Sequence, residues 1–520
     1  MQTSSGTSAP SIFNIVSRSG AACANDGSGN SKLNGVYSFH FTQVDPTKSG
    51  QPNLNVGAFT ANGSGTISDG LQDSNGPYFA GAESTTFSGT YSIGEDDRGL
   101  LTVNYTGGGT ANFCFALDAF SGGVAGGGHL VSDITTPQVD SGSFYEQGST
   151  DLAVASVKGS WVLGLQGIAL ASSNGDEVRG AAAGYVTLDG AGNVSGGELD
   201  ISQDNYSSGS LINTYSKQVK ATGTYTLDAT GRGTLVLNLA GGATKNYVFY
   251  VAGAQQILVL STDTGGSGGS TVVDGRGYLR TSTTFGSGNL SGDSVFVDHA
   301  LTNTNATGYT NRLVRVGMYG WTTGKYTESY DQNDAGKVAL SQSSSGTTAV
   351  DADGRVTLNT SPATYAYLVS ANRGFAVQGN LGVTFTYFED QSPDNGFSDS
   401  SLNGSYSEGS LWYGFEWQRA VSGEVTSNGN GNLDGDLDFA PLATGIVDTA
   451  PRRNAAPDLR RPVAMDVGVA ETYNAGTNGR VLVMNGGEPY EALYIVSADH
   501  AYAINISGDP WQPIEEFNHQ

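Results

Sequence analysis

Residues 223–239 read GTYTLDATGRGTLVLNL, and three further stretches repeat the pattern: 89–105 (GTYSIGEDDRGLLTVNY), 346–358 (GTTAVDADGRVTL) and 470–484 (AETYNAGTNGRVLVM). Each alternates apolar and polar residues on either side of a short polar turn, the signature of two strands in a hairpin. An Arg follows every turn: Arg98, Arg232, Arg355 and Arg480. The repeats lie much farther apart than the blades of a propeller, about 45 residues, so each is expected to be a domain in its own right.

The repeats open alike, with Leu33-Asn34-Gly35-Val36-Tyr37, Val157-Lys158-Gly159-Ser160-Trp161, Leu290-Ser291-Gly292 and Leu402-Asn403-Gly404-Ser405-Tyr406. These starts are 124, 133 and 112 residues apart, with 119 residues left to the end. The expected organisation is a tail or linker over residues 1–32, rich in Ser, Gly, Ala and Asn, followed by β modules over 33–150, 155–283, 288–394 and 400–520. Each module holds about eight strands. An opening strand leads to a hairpin turned on Asn62-Gly63, Asp189-Gly190 or Asn428-Gly429, dipeptides that supply the positive φ of a two-residue turn. The Arg hairpin follows, then an aromatic strand (113–117, 247–251, 365–369, 493–496) and two more. Sequential hairpins without a helix or long crossover predict an all-β chain of four tandem domains built as eight-stranded up-and-down barrels, with β-sandwiches as the alternative. Side chains such as Tyr247, Phe249 and Val251, on one strand face, supply bulk to fill such a barrel.

Composition narrows the function classes. Gly is 76 of 520 residues, about twice average usage, which suits many tight turns. A net charge of -25 against only 24 Lys plus Arg repels phosphate backbones and anionic headgroups, so nucleic acid and membrane surfaces are not expected partners. No run of 18 apolar residues forms a spanning helix. Residues 1–20 lack the basic start and apolar core of a signal peptide. The low Lys content and acidic, Ser/Thr/Gly-rich composition resemble those of secreted bacterial β proteins, so an extracellular or cell-envelope location is expected, with numbering that starts after export. Cys23 and Cys114 leave three states open: a disulfide, two free thiols, or a lipid-anchored Cys23. A disulfide closing a loop of this size contributes roughly 4 to 5 kcal/mol in the chain-entropy model.

Gly159-Ser160-Trp161 at the start of a module, with a single Arg late in it, resembles the calycin barrels of the lipocalin and avidin type; modules one and four have Tyr for Trp. The tandem order and Gly-rich hairpins resemble uncharacterised repeat proteins of bacterial envelopes, a resemblance that implies no known activity.

Four Arg among so few basic residues ask for a reason. Each module also carries an Asp upstream of its Arg: Asp73, Asp200, Asp331 and Asp438. The expectation is a structural Arg–Asp or Arg–carbonyl bond within each module. Catalysis finds little support. His40, His129, His299, His500 and His519 are scattered, with no pair at metal-ligand spacing, and no metal or cofactor is expected. Residues 265–269 (GGSGG) match a nucleophile elbow in letters, yet no helix pattern follows the Ser, and a linker is the expected reading. Residues 434–438 (DGDLD) resemble the start of a calcium loop, but Phe439 replaces the needed Gly and Gly445 the final Glu, which favours a polar hairpin.

Module four departs most. Residues 411–418 carry Trp412, Tyr413, Phe415 and Trp417 with Glu416 and Gln418 beside them, more aromatic surface than a half-buried strand needs. Core packing and a platform for sugar rings are the two readings. An insertion at 451–462 brings Arg452, Arg453, Arg460 and Arg461, either a solvated loop or a patch for an anionic partner. The resulting expectation is an exported, non-enzymatic surface, matrix or binding protein that takes polysaccharide or other envelope components through module four. The alternatives are a glycan-active enzyme with its site in module four, and a small-ligand carrier with an open barrel lumen.

Overall fold

Period-two alternation leaves one face of each strand apolar, and eight such strands can hide that face by closing on themselves. In the computed structural model of the chain this happens four times. Residues 23, 26–44, 52–77, 79–133, 139–148, 152–170, 177–207, 210–265, 271–305, 308–393, 396–411, 420–440, 464–508 and 514–520 are described. Four closed antiparallel barrels occupy residues 34–146, 159–279, 292–390 and 403–519, each with eight strands in chain order and its first strand paired to its eighth.

The turns expected after the opening strand join the second and third strands of each barrel and differ in detail from two-residue turns. Asn62 and Asn428 stand before three-residue loops and Asp189 opens a four-residue one, and each turns its side-chain oxygen back to accept two backbone N–H bonds, for example from Ser64 at 2.9 Å and Thr66 at 3.0 Å. Only the third barrel uses two residues, Thr323 and Gly324, between strands Gly308–Thr322 and Lys325–Asp334. At the Arg turns the residue before the Arg is left-handed: Gly231, Gly354 and Gly479, with φ between 82° and 86°, and Asp97 in barrel 1.

Each lumen is filled. Tyr37, Phe39, Phe59 and Phe113 pack barrel 1, Trp161, Leu163 and Phe249 barrel 2, Phe296 and Trp321 barrel 3, and Tyr406, Tyr473 and Phe517 barrel 4. Barrel 3 has Ser294 where the others open with Tyr or Trp; Trp321, from the neighbouring strand, takes up the space and donates its indole N–H to Ser294 Oγ at 2.7 Å. A short 3-10 turn precedes every barrel (Asn30–Lys32, Val154–Val157, Ser287–Asn289, Asp399–Ser401), and Leu33, Val157, Leu290 or Leu402 at its end is buried. Residues 30–32 are therefore docked rather than part of a free tail: Asn30 Oδ1 accepts from the Ile93 N–H and Tyr91 donates to the Leu33 carbonyl. Cys23 is also tied down, by a disulfide to Cys114. Among the described residues no helix is long and apolar enough to cross a membrane.

Outer faces are buried too, because the barrels pack on one another. Leu54 and Val56 of barrel 1 join Val248, Tyr250, Leu258 and Leu260 of barrel 2 in one cluster. A second cluster runs through barrels 2, 3 and 4. A third joins Cys114 and Val131 of barrel 1 to Ala420 and Ala440 of barrel 4. Fully burying a side chain of this kind contributes roughly 1.5 to 3 kcal/mol.

Candidate functional site

The four Arg residues occupy equivalent places, but their partners lie outside their own modules. Arg232 bonds Asp73 of barrel 1 (Nε to Oδ2 2.7 Å, Nη2 to Oδ1 2.9 Å). Arg355 bonds Asp200 of barrel 2 at 2.6 and 3.1 Å, and Arg480 bonds Asp331 of barrel 3 at 2.6 and 3.0 Å. Arg98 of barrel 1 reaches Asp438 of barrel 4, its Nη2 lying 3.2 Å from both oxygens. The expected pairing within modules is thus corrected. Each Arg clamps the Asp of the preceding barrel, and the fourth pair joins the first barrel to the last, closing a ring. All four Asp carboxyls are at most 1% exposed. Burial alone would raise the Asp73 carboxyl, but hydrogen bonds from Arg232, Ser84 and Tyr250 outweigh it and hold it below the usual carboxylate range. Tyr250 and Tyr494, cross-strand from Arg232 and Arg480, donate to the same Asp residues at 2.5 and 2.7 Å; barrel 1 has Ala116 at this place.

A second set of contacts has the same cyclic order. The residue after each barrel's last strand bonds a carbonyl on the next barrel: Gln147 to Thr230, Arg280 to Leu368, Gln391 to Ile495, and Gln520 to Leu117 of barrel 1. Glycine is needed where these chains meet. A Cβ on Gly231 would lie 2.7 Å from Gln147, and one on Gly479 2.6 Å from Gln391. Gly164 similarly makes room for Phe375, and Gly409 for His129.

The seams also hold buried titratable groups. His500 of barrel 4 lies between Glu389 of barrel 3 (2.9 Å) and Glu516 (3.1 Å). Burial would lower its pKa, but the two carboxylates outweigh burial and hold the imidazole up at about 10. At the closing seam burial pushes Asp118 up to about 7 and His129 down to about 4; Asp118 accepts from Ser407 at 3.1 Å.

Barrel 4 contains a cluster that sequence reasoning missed. Glu408, Glu471, Glu491 and Glu515 all point into its lumen, around a void of about 20 Å³. Burial pushes Glu408, Glu491 and Glu515 well above the usual carboxylate range and Glu471 up to about 7. On barrel 3 an open cleft of about 560 Å³ is lined by Trp321 and Tyr326 of the core together with Asp293, Thr322, Lys325 and Ser345.

The aromatic residues Trp412, Tyr413, Phe415 and Trp417, with Glu416 and Gln418, lie outside the described residues, as do Arg452, Arg453, Arg460 and Arg461. Residues 434–438 belong to a strand, Asn432–Ala440, rather than to a loop, and Asp438 is engaged by Arg98. Residues 266–270 are also outside the described set.

No family model matches the chain, and no curated protein matches it. Among solved structures it has a match to "Copper transporter OprC" at 8% identity, covering 94% of this chain and 80% of that one, with a TM-score of 0.11, too low to carry any argument.

Proposed function

We propose that the chain is an exported, non-enzymatic surface, matrix or binding protein, a ring of four barrels that presents module four to polysaccharide or other envelope components. The observation that carries this reading is the use of the repeated Arg and Asp residues in the seams between barrels. The recurring charged groups serve assembly, and no substrate need be invoked for them. The Cys23–Cys114 disulfide supports export, since such bonds persist in oxidising compartments. Filled lumens argue against a carrier.

The test is a panel of soluble polysaccharides titrated against the full chain, followed by Trp fluorescence and by release of reducing ends. Saturable binding without turnover, weakened by Trp412→Ala or Trp417→Ala, is expected. Turnover would favour the enzyme reading, and equal or absent binding by wild type and both variants would remove the glycan assignment.

A further inference from the structure

Barrel 3 departs from the other three at one end, and the departures fall together. The N–H of Tyr91, Tyr225 or Tyr473 donates to a glycine carbonyl in the turn between the second and third strands. The phenol then closes that end of the barrel by bonding a carbonyl in or beside the 3-10 turn: Leu33 at 2.7 Å, Val154 at 3.2 Å and Leu402 at 3.0 Å. In barrel 3 the residue with this N–H bond is Thr348. Cross-strand pairing identifies three more exchanges. Trp321 stands where the others have Ala61, Leu188 and Ser427; Tyr326 where they have Ile67, Val194 and Leu433; and Gly320 where they have Thr60, Thr187 and Thr426. Two aromatic rings are gained on the second and third strands, while the side chain at 320 is lost and that at 348 is shortened.

The cleft of about 560 Å³ lies where these exchanges meet, lined by Gly320, Trp321 and Tyr326. Its size falls in the range of small-molecule sites, about 300 to 1,000 Å³. Asp293, Gly320, Thr327 and Ser345 form one cross-strand row and Thr322, Lys325 and Thr347 the next, so Gly320 is a notch in a polar surface. A Cβ there would lie 2.6 Å from Thr327 Oγ1 and 3.3 Å from Asp293 Oδ1. A Cβ on Gly346, which also lines the cleft, would lie 2.6 Å from the Tyr326 ring. Trp321 and Tyr326 are each 3% exposed, with ring centroids 6.2 Å apart, which makes them a fixed apolar floor rather than rings free to move.

We propose that this cleft binds one neutral sugar unit of an oligosaccharide or polysaccharide. A pyranose has an apolar C–H face and a rim of hydroxyls that both donate and accept. Gly320, Gly346 and the small exposed parts of the two rings give the apolar face a seat without projecting side chains. Thr322, Thr327, Ser345 and Thr347 meet the rim with hydroxyls of the same double character. Asp293 adds an acceptor and Lys325 a donor, and their charges offset each other. A ligand of net negative charge would instead meet the field of a chain whose net charge is -25. The site belongs to barrel 3 and stands or falls independently of the aromatic residues of module four.

The experiment titrates short neutral oligosaccharides of glucose, mannose, galactose and N-acetylglucosamine, with oligogalacturonate as the acidic comparison, into the full chain by calorimetry, and follows thermal unfolding in parallel. Two variants are compared with wild type: Gly320→Thr, which introduces the Thr of the other barrels and fills the notch, and the double variant Trp412→Ala, Trp417→Ala. A saturable component for a neutral sugar that weakens at least tenfold in Gly320→Thr and is unchanged in the Trp double variant is expected. Should Gly320→Thr fail to fold, Lys325→Ala with Ser345→Ala, at two exposed positions, carries the same expectation. Binding that is lost in the Trp double variant but unchanged in the folded barrel 3 variant would place the sugar on module four alone, overturning this inference and leaving the module four reading intact. No saturable binding by wild type across the neutral panel would overturn it as well, and so would tighter binding of oligogalacturonate at the site that Gly320→Thr blocks.

Discussion

Replacing Arg355 with Ala leaves the Asp200 carboxyl wholly buried in the seam between barrels 2 and 3 without its basic partner, since two of the bonds to it come from this guanidinium. Breaking a buried pair from one side costs about 3 to 5 kcal/mol, and Asp200→Ala is expected to cost about as much because it strands the Arg. The single change also loses the stacking of Arg355 over the Tyr365 ring, 4.0 Å from its centroid, but that loss is common to the single and double variants and cancels in a double-mutant cycle. The coupling energy between Arg355→Ala and Asp200→Ala is therefore expected at about 2 to 4 kcal/mol, for residues in different barrels. Asp331, the acid of Arg355's own barrel, is held by Arg480, so the cycle Arg355→Ala with Asp331→Ala should be additive within about 0.5 kcal/mol. The assay is urea unfolding of the four proteins in each cycle, with hydrogen exchange over the third strand of barrel 2 to place the loss at the seam. Coupling below about 0.5 kcal/mol between Arg355 and Asp200, or stronger coupling to Asp331, would refute the ring of clamps.

Three further outcomes follow from the seams. Cys114→Ser, or reduction of the wild type, should lower stability by about 4 to 5 kcal/mol in the chain-entropy model, read from the urea midpoint; an unchanged midpoint would show that Cys23 is held by packing alone. Gly409→Ala would place a Cβ 2.1 Å from the His129 ring and is expected to cost about 1 to 3 kcal/mol, whereas Gly107→Ala, with nothing within 4 Å, should be near neutral in the same thermal melts. His500→Gln should be most harmful near pH 5 to 6.5 and progressively less so toward pH 10. The imidazole is raised from 6.5 to about 10, so its contribution is complete below the unfolded value and disappears as pH rises through the folded one. Glu389, which burial would raise but His500 and Arg373 hold down at about 2, contributes above 4.5 and loses that contribution as pH falls through 2. A Tm difference between wild type and His500→Gln that is flat across this range would contradict the paired geometry.

The barrels were legible because alternation, turn chemistry and the repeated Arg hairpin all agree. About eight strands per module were countable from the opening strand, the polar hairpin turn, the Arg hairpin, the aromatic strand such as 247–251 and the two strands after it. The partner of each Arg was not legible, and the reason is degeneracy: Asp73, Asp200, Asp331 and Asp438 are equivalent, so a pattern repeated in four modules cannot distinguish a bond inside a module from one to its neighbour. A signal for the neighbour was present. Residues 247–251 (YVFYV) and 257–260 (ILVL) are apolar on both faces, although a barrel wall facing water needs only one such face; the second face is the seam. The acidic lumen was also readable in principle. Aligning the opening strands places Glu408 with Phe39, Leu163 and Phe296, a Glu at a lumen position.

Closure of the ring follows from using one pair of faces four times. Each barrel offers its Arg turn to the barrel before it and its Asp and terminal residue to the barrel after it, a head-to-tail contact of two different surfaces. Such contacts either propagate without end or close when the rotation between neighbours divides a full turn. Here the chain supplies four units, and the contacts of Arg98 with Asp438 and of Gln520 with Leu117 repeat those at the other three seams. The closing seam is the one with unusual content: Ala116 in place of the Tyr seen at this position in the other barrels, and His129 packed over Gly409 beside Asp118. The disulfide also lies there, since Cys114 packs with Ala420 and Ala440 of barrel 4 and ties Cys23 to the same cluster. No peptide connection joins the first and last barrels at this seam; the disulfide ties the segment before barrel 1 to barrel 1 beside it, and the contacts to barrel 4 are the Arg98–Asp438 pair, the packing on Ala420 and Ala440 and the polar network around Asp118 and His129.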